Sequence, residues 1–314
     1  MRRIEQFPPY GALARPYARQ IKDPVAPVDF ASESAPLKGW LTWIEETTAV
    51  INECLWPSWN YSESCWESPN IDLMNDLTRA DFSILKSLIE ADFLSVTAPI
   101  SDVAWREKHL EFFTDEDQDR LGLRVGEYSA EFPATIRPFD RWSGEVFRSK
   151  IGHTSMHLKH KLQRPRAYQI SAIAGVDWFT WNLGATSMSP SMSSGHALQG
   201  LMFAAGTFEA LLQKGVELTP GGRIGLAQFG VDIGDRRVFA GIHYPSDNIA
   251  SWIAVGRLAR KVFRHAETFD FIRFAVTTRS EVYKRLTGAT AQHTAFVPAL
   301  EVLDSVLASV AARR

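Results

Sequence analysis

Lys159 and Arg166, then Ser194, Gly195 and His196, then Arg237, His243 and Asp247 follow one another along a chain of 314 residues. These residue types handle an anion. Lys159 and Arg166 stand seven positions apart in "KHKLQRPRAY". If that segment stays helical, seven steps return both to nearly one face. Pro165 argues instead that the helix ends or distorts before Arg166. On either path a point-charge donor and a planar forked donor can converge on one oxyanion. In "SPSMSSGHALQG", Ser194-Gly195-His196 opens an apolar-periodic stretch. A helix N-terminus there offers unsatisfied N–H groups and a positive dipole end. Ser194 adds a hydroxyl, Gly195 lets backbone approach a ligand, and His196 is placed to hand a proton to a leaving group.

The third segment is "DRRVFAGIHYPSDN", with Arg236, Arg237, His243 and Asp247. Pro245 suits the first turn of a helix, which puts His243 just before it and Asp247 one turn inside. A carboxylate there can bond one ring nitrogen, fix the tautomer and leave the other nitrogen as a nucleophile. Arg237 supplies a third cation. Each segment alone has a plainer explanation: a solvated basic face, a serine N-cap, a surface turn. Together they form an inventory for in-line phosphoryl transfer through a phosphohistidine, with cations in place of a metal. His153, His157 and His160, at spacings of four and three, are not expected to bind metal, because no carboxylate or cysteine accompanies them.

The three segments resemble the signature of the type 2 phosphatidic acid phosphatase and vanadium haloperoxidase superfamily: K-x6-R-P, then P-S-G-H, then S-R-x5-H-x3-D. Spacing and order match; the departures are Ala167 for the proline after Arg166, Ser193 for the proline before Ser194, and Arg236 for the serine before Arg237. The resemblance covers Lys159 to Asp247 and the surrounding helices. It implies that Lys159, Arg166, Ser194, Gly195 and Arg237 hold the phosphate. It further implies that His243 attacks, that Asp247 orients it, and that His196 protonates the leaving oxygen and then activates water. The implied fold is the all-α helical bundle of the acid phosphatase and vanadium haloperoxidase type. The first reading is a soluble, metal-independent phosphatase acting on a phosphomonoester or a lipid-type phosphate or pyrophosphate, with no cofactor. The second is a vanadium-dependent haloperoxidase, in which the same residues hold vanadate and His243 meets vanadium.

A net charge of −2 argues against a general nucleic-acid binder. Two cysteines, Cys54 and Cys65, are too few for a disulfide framework, and two half-buried thiols are expected. The basic start "MRR" is followed by prolines, Glu5 and Arg15 and not by an apolar core, so no secretory signal is read. No run approaches the roughly 18 apolar residues of a membrane span. A cytoplasmic protein is the expectation, and folds of this type often pair into homo-oligomers.

The organisation reads as one all-α domain over 1–314, with an irregular N-terminal elaboration over 1–140 and a catalytic helical core over 141–290. Within the elaboration, Trp40, Trp43, Trp56, Trp59 and Trp66 are read as packing. Residues 76–93 have helical spacing at Leu77, Phe82, Leu85, Leu88 and Ile89. The Asp115, Asp117, Asp119 alternation lacks the glycine and closing glutamate of a calcium loop and is read as a solvated turn. Further helices are expected from His196 to a Gly215 C-cap, from Ser246 onward, over "FDFIRFAVTTRSEVYKRL", and over "PALEVLDSVLASVAARR".

Overall fold

The computed structural model describes residues 40–56, 74–90, 129–132, 152–174, 189–239, 242–288 and 297–311. Trp59, Trp66, Cys65 and the acidic alternation at 115–119 lie outside them. The described elements are α1 (Trp40–Cys54), α2 (Asp76–Glu90), α3 (Gly152–Leu162), α4 (Ala167–Ala174), α5 (Gly195–Gln213), α6 (Pro220–Phe239), α7 (Pro245–Val262), α8 (Ala266–Gly288) and α9 (Val297–Ala311). No strand occurs among the described residues, so the chain is all-helical there. No described helix is long and apolar enough to cross a membrane.

Helix α5 begins where its cap chemistry predicts. Ser194 is extended and its Oγ accepts from Ala197 N at 3.3 Å. Its apolar positions Leu198, Leu201, Met202, Ala205 and Phe208 are all buried. Lys214 is the C-cap, and Gly215 follows it with φ +67°, the left-handed turn that releases the chain. Pro245 opens α7 at its first position, where a missing N–H costs nothing. Helix α2 starts at Asp76 and buries Leu77, Phe82 and Leu85.

Helix α3 stops at Leu162, and Gln163 turns at φ +48°. Arg164, Pro165 and Arg166 are then non-helical, so Lys159 and Arg166 do not share a helix face. They meet instead on one stretch of chain, where Lys159 reaches Ser191 O and Arg166 reaches Ser189.

Helix α6 is not legible from periodicity. Its segment "PGGRIGLAQFGVDIGDRRVF" is rich in glycine, which local propensity reads as loop. Packing explains the glycines. A Cβ on Gly200 of α5 would lie 2.6 Å from Gly230 O, and one on Gly234 of α6 would lie 2.6 Å from Ala197 Cβ. Ala204 Cβ would likewise meet a Cβ on Gly230 at 2.7 Å. Early residues of α5 thus face late residues of α6, so the two helices run antiparallel at close range. This places the N-terminus of α5 beside the C-terminus of α6.

Helix α7 packs against α5, α8 and α9 and also against α1 and α2. Its buried face includes Ile249, Trp252, Ile253 and Val255. Trp43 and Trp56 are buried in the same core, as the packing reading expected. The buried carboxylate of Glu209 on α5 accepts from Arg264 N at 3.0 Å, His265 N at 3.4 Å and the Thr268 hydroxyl, fixing the start of α8.

Candidate active site

The end of α3, the segment 189–194, the start of α5, the end of α6 and the start of α7 meet at one place. Ser194 N donates to Asp247 O at 3.3 Å, and Ser251 Oγ donates to Ser194 O at 2.7 Å and Asp247 O at 2.9 Å. These bonds set two helix N-termini side by side. Between α6 and α7, Ile242 N and His243 N both donate to Arg237 O, at 3.1 and 3.2 Å. Arg237 and His243 are thereby brought to one spot.

His243 is buried and its Nδ1 lies 2.9 Å from Asp247 Oδ2. Its Nε2 lies 2.9 Å from an Arg166 guanidinium nitrogen. Arginine only donates, so Nε2 must accept and Nδ1 must carry the hydrogen given to Asp247. The pair therefore fixes the tautomer that leaves an unprotonated Nε2. Asp247 Oδ2 also accepts from Tyr244 N at 3.0 Å and from the Ser191 hydroxyl. The first of these is a capping interaction at the start of α7, so one carboxylate starts the helix and orients the histidine.

The two other anchoring cations grip one stretch of chain. Lys159 Nζ donates to Pro190 O and, at 3.0 Å, to Ser191 O. Arg166 donates through Nε to Ser189 O at 2.6 Å and through a terminal nitrogen to Ser189 Oγ at 2.9 Å. It also reaches Ile242 O at 3.0 Å. Lys159, Arg166 and Arg237 are all buried.

This crowding shows in the ionisation of Lys159, His243 and His196. Burial, then Arg166 and Arg237, pushes Lys159 well below the usual lysine range, against the pull of Asp247. Burial, then Arg166, Lys159, Arg237 and His196, pushes His243 well below its ordinary value. His196, half-buried at the start of α5, is likewise pushed well down, by burial and then by Arg237, Arg166 and Lys159. The groups that the sequence placed in one site therefore feel one another's charge. An anion at this spot would offset the repulsion.

Four participants were not singled out from the sequence: Arg164, Asp81, Ser246 and Ser191. Arg164 donates to Asp247 Oδ1 at 3.2 Å, Ser246 Oγ at 2.5 Å and Asp81 Oδ2 at 2.7 Å. Its guanidinium lies 4.0 Å from the Tyr244 ring centroid and 4.8 Å from that of Trp56. Asp81 on α2 also accepts from Ser246 N at 3.0 Å and from Ser246 Oγ at 2.5 Å. Burial pushes Asp81 up to about 6, although Arg164 and Ser246 pull the other way. A residue of the 1–140 region thus reaches the carboxylate that orients His243, through one arginine. The doublet "RPR" was the available signal, since its first arginine stands beside the motif arginine. Asp81 had none, because 165 positions separate it from Ser246.

His157 is buried and His160 lies half-buried on α3, while the His153 side chain is outside the described set. Among the described residues, no group of three or more His, Cys, Asp or Glu side chains is placed to hold a metal ion. Cys54 is a free buried thiol pushed up to about 11, by burial first. Ser193 is buried, and Arg236 falls within α6. The chain matches no family model, and no curated protein or solved structure shows significant similarity to it.

Proposed function

We propose that this chain is a phosphatase that transfers a phosphoryl group to His243, of the type 2 phosphatidic acid phosphatase kind. The single observation that carries the reading is the state of His243. Its Nδ1 is tied to Asp247 and its Nε2 is left as an acceptor, facing an arginine among three buried cations. A nucleophile needs that lone pair, and a phosphoryl group needs that charge.

In the proposed reaction the phosphate of a monoester or a lipid-type phosphate enters between Lys159, Arg166 and Arg237. Its oxygens take over the guanidinium N–H that Nε2 holds, and Ser194 and the Gly195 amide complete the donors. Nε2 attacks phosphorus, the bond to the leaving oxygen breaks, and His196 gives that oxygen a proton. Asp247 stabilises the cationic phosphorylated imidazole. Water then gives a proton to His196 and attacks phosphorus, the P–N bond breaks, and phosphate departs. Arg164 holds the outer oxygen of Asp247, and Asp81 offsets the charge of Arg164.

The same donors fit vanadate, a tetrahedral oxyanion like phosphate, with His243 Nε2 toward the vanadium. Bound there, vanadate would supply oxidation of a halide by peroxide. One assay pair separates the two activities. Hydrolysis of p-nitrophenyl phosphate, inhibited by vanadate and with no halide oxidation after vanadate loading, is the expected result. Halide oxidation without hydrolysis would overturn the phosphatase reading.

The pH profile follows from the direction of the histidine shifts. His196 must be protonated in the free enzyme to serve as the acid, and its value lies well below 6.5. His243 must be neutral, and its value is lowered too. The expected kcat/KM is therefore bell-shaped below 6.5, rising as His243 loses its proton and falling as His196 loses its own. A flat profile through that range would contradict the role of His196.

A further inference from the structure

Ser155 stands on α3 four residues before Lys159, so the two side chains leave the same helix face. Ser155 is only 4% exposed, and its Oγ has no hydrogen-bond partner. A buried hydroxyl left unpaired keeps a desolvation cost that nothing in the protein offsets. Its direction is fixed by Gly195. A Cβ built on Gly195 would lie 3.1 Å from Ser155 Oγ and 3.7 Å from Ser155 Cβ, so the hydroxyl is the nearer atom. Gly195 is the first residue of α5, where helix geometry leaves N–H groups without helical acceptors. The unpaired hydroxyl is therefore aimed at the N-terminus where His196 feels the charge of Arg237, Arg166 and Lys159.

We propose that Ser155 is a further ligand-binding residue of this pocket. Its Oγ–H donates to an oxygen of the tetrahedral oxyanion held between Lys159 and the start of α5. The proposal rests on the phosphatase reading, since the ligand is the transferred phosphoryl group or the phosphate product. A serine supplies what the cations do not: a donor whose hydrogen rotates to the acceptor and adds no charge to an already crowded site. It also gives Gly195 a steric reason. A side chain at Gly195 would press on the Ser155 hydroxyl and turn it from the anion.

The test compares wild type with Ser155→Ala, titrating inorganic phosphate by calorimetry and recording thermal unfolding with and without phosphate. Loss of one charge-assisted hydrogen bond is expected to weaken phosphate binding about tenfold. The ligand-free melting temperature should stay or rise, because an unsatisfied hydroxyl has been removed. A hydroxyl with only a structural role would give the opposite pattern: a lower melting temperature and unchanged phosphate affinity. That pattern, with wild type binding normally, would overturn the role of Ser155 and leave the phosphatase reading intact. Absence of phosphate and vanadate binding by wild type would overturn both. Ser155→Cys keeps the shape with a larger atom and a weaker donor. It is expected to bind phosphate less tightly than wild type, and wild-type affinity there would overturn the role even if the alanine variant did not fold.

Discussion

His243→Ala is expected to lower turnover of p-nitrophenyl phosphate by at least about a thousandfold. In wild type His243 Nε2 is the acceptor that Arg166 and Asp247 together leave unprotonated. Ser191, whose hydroxyl also bonds Asp247, is a neutral alcohol and a weaker nucleophile than the imidazole. The variant keeps Lys159, Arg166 and Arg237, so phosphate binding should survive, and could strengthen once Arg166 is released from the ring. Asp247 retains Tyr244 N, the Ser191 hydroxyl and Arg164 as donors, so the start of α7 should persist. Steady-state kinetics and phosphate calorimetry on one preparation check both halves. Activity within tenfold of wild type would contradict the assignment.

The second large effect concerns stability. Arg164→Met is expected to reduce the unfolding free energy by about 3–5 kcal/mol, because it strands two buried carboxylates by removing their shared partner. The loss should depend on pH, with a sign that can be worked out. Asp81 already sits at about 6 in the folded protein against 3.8 for an ordinary aspartate, through burial. Arg164 is among the influences that hold it down, so removing Arg164 moves it higher still. A folded value raised above the unfolded one contributes stability at low pH that is lost as pH rises through the folded value. Urea unfolding should therefore show a larger deficit at pH 8 than at pH 5. Equal deficits would mean that Asp81 is not the stranded group. Turnover should fall as well, since Asp247 Oδ1 loses the donor that fixes the carboxylate.

Much of the candidate site is legible because its signals are local. Pro245, Asp247 and His243 lie within five positions, and cap chemistry alone places them. Ser194 reads as an N-cap for the same reason. Helix α6 was hidden because its glycines serve contact with α5 and not helix propensity. The tie from Asp81 to Ser246 was hidden because hydrogen bonding at such separation leaves no periodic trace. Arg164 was visible but had no role until α2 and α7 were seen to converge on it. Lys159 and Arg166 converge as their types imply, but on the segment 189–191 and not along one helix face.

The central claim is that phosphorus is transferred to His243, and a rapid-quench experiment reaches it most directly. Wild type mixed with a phosphorus-labelled monoester, quenched under alkaline conditions and digested, should carry an acid-labile label on the peptide containing His243. His243→Ala should carry none. Hydrolysis without a protein-bound label in wild type, or a label that persists in His243→Ala, would contradict the account.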